Sequence, residues 1–433
     1  MTTTEDINIK GDLGEEIVNK LAFDTYLKYW CCPGPKDEKG SKKEICDLLI
    51  LFREVAIIIS VKNYAFKGNY DRYFRLTLDK AVSQIAGAER KLFSGEKVYI
   101  KHVDLNEELF DSLKYTTVLR IIVNHNTEPL FYPAGRLTVN GKYIHIFNWN
   151  AFLGIVTELD TIPDFINYLL EREIILKDKD AILMIGEEND WTSDVKESFF
   201  KYNEIRKNTT DRYLLISGNE LDLLADYFWN TRKFNKLFYS NEYESRSIKI
   251  DSKWRKYLLQ KEVQNKKAAD ADSYFIDEFI KHEVLYNTKT YNLEIATELL
   301  SLSRFERRIL GHEFLQLAKQ YQNKNDLFSA RRYGQVNDLL VAMVLYTDGM
   351  SHNVVMELIR IAAEGYIVMN KYRNKKVLVV GFSNKLRGFK YGFLKNINQF
   401  DKEYEDTVIN DLKMLKWFTN VNVFQVTHKE YPE

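Results

Sequence analysis

Proline and cysteine are scarce in this chain, and long apolar runs are missing. Six prolines in 433 residues leave few forced breaks. The three cysteines, Cys31, Cys32 and Cys46, stand in no metal-ligand spacing and cannot build a disulfide framework, so a reducing cytoplasm is expected. No apolar run approaches the roughly 20 residues that span a bilayer. The opening Met-Thr-Thr-Thr-Glu-Asp has no basic, apolar signal region. A soluble cytoplasmic protein without a membrane partner is the expectation. Net charge is also missing: 62 basic residues balance 62 acidic ones. That excludes a general polyanion-coating role and makes any nucleic-acid surface a local one. There is no Gly-x-x-x-x-Gly-Lys-Ser/Thr loop, dinucleotide fingerprint, Gly-x-Ser-x-Gly turn, His-Glu-x-x-His or Cys-x-x-Cys pair.

What is present is apolar and aromatic: 45% hydrophobic and 14% aromatic residues, enough for real cores in two or three domains. The most informative stretch is Glu44–Tyr64. Two runs, Ile45–Phe52 and Val55–Val61, flank Arg53-Glu54. Both are too short for stable helices and rich in β-formers, which predicts a β-hairpin. Asp47 sits in the first run and Lys62 closes the second. A carboxylate in an apolar strand costs several kcal/mol or more unless a cation or a salt bridge compensates it. With period two, Ala56, Ile58, Ser60 and Lys62 share one face, running from core into a cleft. Asp47, Ser60 and Lys62 are expected to meet at that end.

These residues resemble the PD-(D/E)XK nuclease superfamily, in its nuclease-related-domain and Holliday-resolvase-like branch. That branch opens with a helix carrying Gly-x-x-Gly-Glu, matched here by Gly11-Asp12-Leu13-Gly14-Glu15 before a helix running to Leu27. An acid in a strand follows, matched by Asp47, and then Glu-x-Lys, which here reads Ser60-Val61-Lys62. Some members with Ser-x-Lys supply the displaced carboxylate from the next helix, where Asp79 and then Glu89 lie. The resemblance covers about the first third of the chain. It implies a restriction-endonuclease-like domain and an Mg²⁺- or Mn²⁺-dependent endonuclease cutting phosphodiester bonds, DNA in preference to RNA. Its catalytic residues are Asp47, Lys62, Ser60 and Glu15. The metal is held by Asp47, the Val61 carbonyl, Glu15 and Asp79, with Glu16 a weaker candidate. By analogy, such an effector suits bacterial antiviral defence or DNA repair. A degenerate nuclease fold that binds nucleic acid or recruits a partner is the alternative.

Further along, Lys67, Arg72 and Arg75 interleave with Tyr64, Phe66, Tyr70, Tyr73 and Phe74. Lys62–Lys91 holds seven basic and three acidic residues. Cations for phosphates and ring faces for bases suit a nucleic-acid strand; packing on a core accounts for the rings equally well. Gln84 and the loop residue Lys43 join the candidates for nucleic-acid contact. Thr77 is predicted to cap a helix whose buried side is Leu78, Val82, Ile85 and Leu92. Lys97–His102, Tyr115–His125 and Lys142–Asn150 read as strands, with His102, His125 and His145 on them as structural residues.

The expected architecture is an α/β nuclease-like domain over 1–150, with a mixed sheet flanked by helices. A mainly helical accessory region over 151–335 and a small α/β unit over 336–433 follow. The helices read as Ser193–Arg206, Glu220–Thr231, Trp254–Glu262, Ser273–His282 and Leu293–Gln322, with Asn265–Asp272 a linker. Arg304, Arg307 and Arg308 share a helix face that suits a phosphate or, more simply, ion pairing. The last region reads as strand Leu339–Tyr346, helix Asn353–Ile367, strand Lys376–Phe382, helix Asp406–Phe418 and strand Val421–Thr427. A regulatory protein partner or a homo-oligomer is a further expectation.

Overall fold

The computed structural model describes residues 24–37, 44–64, 66–102, 104, 106–125, 129–138, 140–186, 190–207, 212–240, 242, 244–285, 292–324, 329–336, 338–373, 376–395, 397–418 and 428–433. The chain divides into two compact units, Met1–Gln260 and Lys261–Glu433. The class is mixed α/β in both.

In the first unit the anticipated hairpin forms. β1 (Cys31–Pro33) lies antiparallel to β2 (Leu48–Phe52), and β2 to β3 (Val55–Asn63). Arg53 turns the hairpin with a φ of 49°. A helical crossover leads on, through Tyr70–Phe74, a π-helical Arg75–Asp79 and α1 (Lys80–Phe93). It returns the chain to β4 (Thr117–His125), parallel to β3. The β3 residues Ala56, Ile57, Ile58 and Ile59 are wholly buried, because both faces of the sheet are covered.

β5 (Phe131–Pro133), β6 (Gly135–Leu137) and β7 (Tyr143–Asn148) follow. The first sheet runs β1-β2-β3-β4-β7-β6. α2 (Trp149–Leu159) and α3 (Ile162–Leu176) come next, the latter capped by Thr161 with Pro163 in its first turn.

The middle of the chain departs from expectation. β8 (Asp180–Met184), α4 (Ser193–Lys207), β9 (Tyr213–Ser217), α5 (Glu220–Trp229), β10 (Ser245–Lys249) and α6 (Lys253–Leu258) alternate. β8, β9 and β10 are mutually parallel, and β5 closes their sheet antiparallel to β8. The region is mainly helical by residue, but it carries three parallel strands that were not anticipated. Runs as short as Ala-Ile-Leu-Met and Tyr-Leu-Leu-Ile suit a helix turn or a strand alike, and pairing with neighbours decided for strand.

The position read as a boundary, 150, falls where β7 runs directly into α2; 335 falls inside a strand of the second unit. That unit holds α7 (Lys261–Ala269), α8 (Tyr274–Phe279), α9 (Leu293–Leu300), α10 (Arg304–Tyr321), β11 (Ser329–Val336), β12 (Leu339–Tyr346), α11 (His352–Met369), β13 (Lys376–Ser383), β14 (Lys390–Lys395) and α12 (Lys402–Met414). Its sheet runs β11-β12-β13-β14, parallel only between β12 and β13, which α11 connects. A Cβ on Gly365 of α11 would lie 2.5 Å from the Leu412 side chain of α12, so the glycine permits the close helix packing.

Two local expectations fail in this unit. Asn265–Asp272 is not a linker: it lies in α7 and the 3₁₀ turn Asp270–Ser273, tied by the Lys266–Asp270 pair one turn apart. Leu293–Gln322 is two helices, because Ser303 and Glu306 form a capping box that starts α10 afresh. The strands Ser329–Val336 and Lys390–Lys395 were not anticipated; the expected strand Val421–Thr427 lies outside the described residues. Among the described residues no helix is long and apolar enough to cross a membrane.

Candidate functional site

The site is built by an inequality of strand lengths. β2 stops pairing at Leu48, opposite Ile59, while β3 continues to Asn63 against β4. Beyond Ile59, β3 has lost its neighbour on the β2 side. Asp47 fills the gap with its side chain: Oδ2 accepts the Val61 N–H at 2.6 Å and the Ser60 hydroxyl at 3.1 Å. Charge-assisted bonds of this kind are short and strong. They hold a half-buried carboxylate that the apolar surroundings would otherwise reject. A strand residue's N–H and C=O point to the same edge, so the Val61 carbonyl faces the same notch.

Lys62 lies beside it, its Nζ 3.3 Å from the Val61 carbonyl oxygen. Burial pushes the Lys62 amine below its ordinary value, while the Asp47 carboxylate pulls it back up. The two charges sense each other without forming an ion pair, and no described residue donates to Asp47 Oδ1. The expected meeting of Asp47, Ser60 and Lys62 therefore occurs.

The other expected carboxylates do not join it. Asp79 is exposed and paired to Arg136. Glu89 is buried against the first sheet, taken bidentately by Arg120 at 2.6 Å and by Lys142 at 2.6 Å. Burial pushes the Glu89 carboxyl up, but the hydrogen bonds from Arg120 and Lys142 outweigh it and hold the group below its ordinary value of 4.5. Glu89 is thus an internal counter-ion. Thr77 caps nothing: it is buried within the π-helical turn, its hydroxyl donating to the Tyr73 carbonyl, and Asn69 caps the helix. Glu15, Glu16 and Lys43 lie outside the described residues.

One neighbour was missed. Asn124 is in register with Lys62 on β4, and adjacent parallel residues share a face. It is buried, its amide donates to the Tyr73 hydroxyl, and its Oδ1 has no partner among the described residues. The signal was available: Asn124 ends the apolar run of β4 as Lys62 ends that of β3.

Lys67, Arg72, Arg75 and Gln84 are exposed along the crossover helix and the loop before it. The aromatics between them divide. Tyr70, Tyr73 and Phe74 are buried, with Tyr70 stacked on Phe131 at 4.1 Å and Phe74 against Tyr202 at 4.9 Å. They are core, closed to bases.

The histidines sit elsewhere. His102 Nδ1 accepts the Asp104 N–H. His145 is wholly buried beside Arg172, and burial followed by the Arg172 and Arg120 charges pushes it well below its ordinary value. The side chain of His125 lies outside the described ones. Arg304, Arg307 and Arg308 are all engaged, the first two by Asp277 and the third by Asp270, so their stripe is structural.

Among the described residues no group of three or more His, Cys, Asp or Glu is placed to hold a metal ion. The notch offers one open carboxylate oxygen and one carbonyl. Mg²⁺ accepts such a set when substrate phosphate and waters complete the shell. No family model, no curated protein and no solved structure matches the chain.

Proposed function

We propose that the notch at the ends of β2 and β3 hydrolyses phosphodiester bonds in nucleic acid, DNA ahead of RNA, with Mg²⁺ or Mn²⁺, in a restriction-endonuclease-like domain of PD-(D/E)XK type. The observation that carries this reading is the pairing of Asp47 and Lys62 at one strand end without mutual neutralisation.

Asp47 Oδ1 and the Val61 carbonyl would hold the ion, with Glu15 as a further ligand. Bound there, the ion supplies polarisation of the phosphate and activation of a water. The chain's own residues do the rest. Ser60 and the Val61 N–H fix the rotamer of Asp47, aiming its second oxygen outward. Lys62, with its amine pushed down, gives up a proton more readily than a solvated lysine, and as a cation it offsets charge developing on the phosphate. Asn124 orients a water or phosphate oxygen beside it. Lys67, Arg72 and Arg75 contact the backbone of the strand. A role in defence or repair, under the control of a partner or of a second copy of the chain, fits an enzyme whose unregulated action would damage its host.

Asp47→Ala and Lys62→Ala should each abolish cleavage of single- or double-stranded DNA or RNA with either metal. Cleavage surviving both changes ends the proposal. A second reading has its own support: accepting the Val61 N–H gives Asp47 a ladder-capping role that needs no metal. On that reading a degenerate nuclease fold is kept for binding. Millimolar Mn²⁺ separates the two, because a ligand of the folded state raises the unfolding temperature by mass action; a cap alone leaves it unchanged.

A further inference from the structure

A large cavity in the first unit lies apart from the notch. It encloses about 870 Å³ at the carboxyl ends of β8, β9 and β10. Parallel strands direct their connecting loops to that edge, where α/β sheets commonly take their ligands. The loops are shaped for it. Gly218, directly after β9, has a φ of 139°, and a Cβ there would lie 2.7 Å from Ile250. Only glycine lets the chain turn out of the strand beneath the cavity.

The lining combines three chemistries. Trp191 and Phe199 meet edge to face at 5.7 Å on the β8 side, and Trp254 stands on the β10 side. Lys196, Lys249 and Arg255 are exposed at the cavity and have no ion-pair partner among the described residues, in a unit whose buried arginines are all paired. On the floor the Ser217 hydroxyl donates to Asp251 Oδ2 at 2.5 Å, which leaves the other carboxylate oxygen to a ligand. Asp222 is committed to the backbone, accepting the Asn219 and Trp254 N–H groups at 3.0 and 2.9 Å, and so fixes the two loops to each other.

We infer that this cavity binds a nucleotide. The flat ring stacks against tryptophan, the sugar hydroxyls reach Asp251, and the phosphates meet Lys196, Lys249 and Arg255 at the rim. A purely apolar ligand would leave three cations unused, and a bare anion would leave the rings unused. The ligand is either a free nucleotide or the 5′-phosphorylated end of a strand; both present the same chemistry. This inference stands independently of cleavage at the notch.

The test titrates the full chain with ATP, GTP, CTP and UTP, with a 5′-phosphorylated dinucleotide and with inorganic pyrophosphate, read by calorimetry and tryptophan fluorescence. Binding of at least one nucleotide or of the dinucleotide below about 1 mM is expected, and whichever is tighter identifies the source. Lys249→Glu with Arg255→Glu, both exposed and so compatible with folding, should weaken it by about 10-fold or more. Trp254→Leu should weaken it too and remove most of the quenching. The inference is overturned if no nucleotide or dinucleotide binds below that concentration, if pyrophosphate binds as tightly as the nucleotides, or if the charge reversal leaves affinity unchanged.

Discussion

Lys62 is held between two opposing influences. Burial favours its neutral form, and the Asp47 carboxylate favours the charged one. Replacing Asp47 with Asn removes the raising influence alone, so Lys62 should titrate at lower pH in D47N than in the wild type. Titration of lysine Cε resonances checks this, and an unmoved Lys62 would show that the two groups do not communicate. Glu89 shows the opposite sign. Its carboxyl is held below 4.5 in the folded protein, so its contribution is complete above that pH and drains away as pH falls through the folded value. Glu89→Gln leaves Arg120 buried without a counter-charge, which costs about 3 kcal/mol or more at neutral pH. The gap between variant and wild type should narrow steadily below pH 4.5 in denaturant titrations.

At the scale of elements, the junction between the six-stranded and the four-stranded sheet of the first unit is held by backbone and side chains together. β5 and β6 are adjacent in the chain but pair with different sheets, and Ala134 between them bonds to both: its N–H to the Ala181 carbonyl and its carbonyl to the Ile146 N–H. Arg172 of α3 donates to the Ala134 carbonyl at 2.9 Å and to both oxygens of Glu220 of α5, at 2.6 and 2.9 Å. Both charged side chains are 0% exposed. Removing one partner of such a pair strands the other charge, so Arg172→Ala should lower stability by about 3–5 kcal/mol. A larger drop in denaturation midpoint than replacement of any exposed arginine causes is the expected result. Replacement of both residues by apolar ones of similar volume should restore much of it.

At the scale of the molecule, balanced charge would confine the proposed nucleic-acid affinity to a patch. Lys67, Arg72 and Arg75 are exposed, and the buried rings of Tyr70, Tyr73 and Phe74 contribute none of their faces. Binding through that patch should therefore be electrostatic and salt-sensitive. Changing all three cations to alanine should flatten the slope of log affinity against log salt by about 2–3 on duplex DNA, at roughly 0.9 for each phosphate no longer neutralised. An unchanged slope would move the interface elsewhere.

The hairpin, the strand over Thr117–His125 and the placing of Asp47, Ser60 and Lys62 at one strand end were legible in the sequence; that this strand runs parallel to β3 was not. Alternation along a strand and the cost of a charge in an apolar run are local properties, written in neighbouring residues. Most helices of both units were legible for the same reason. Other features depended on partners far away in the chain. Whether Ala-Ile-Leu-Met forms a strand is settled by the edge offered to it, and whether Glu89 serves a metal or an arginine is settled by what β4 places opposite. The cavity at the ends of β8, β9 and β10 has no contiguous motif, because Trp191 and Lys196 follow β8 whereas Lys249, Asp251 and Trp254 stand at the end of β10 and in the loop beyond it. Only pairing the strands brings those loops together: sequence specifies which side chains exist and which way each strand turns them, and tertiary packing decides what they face.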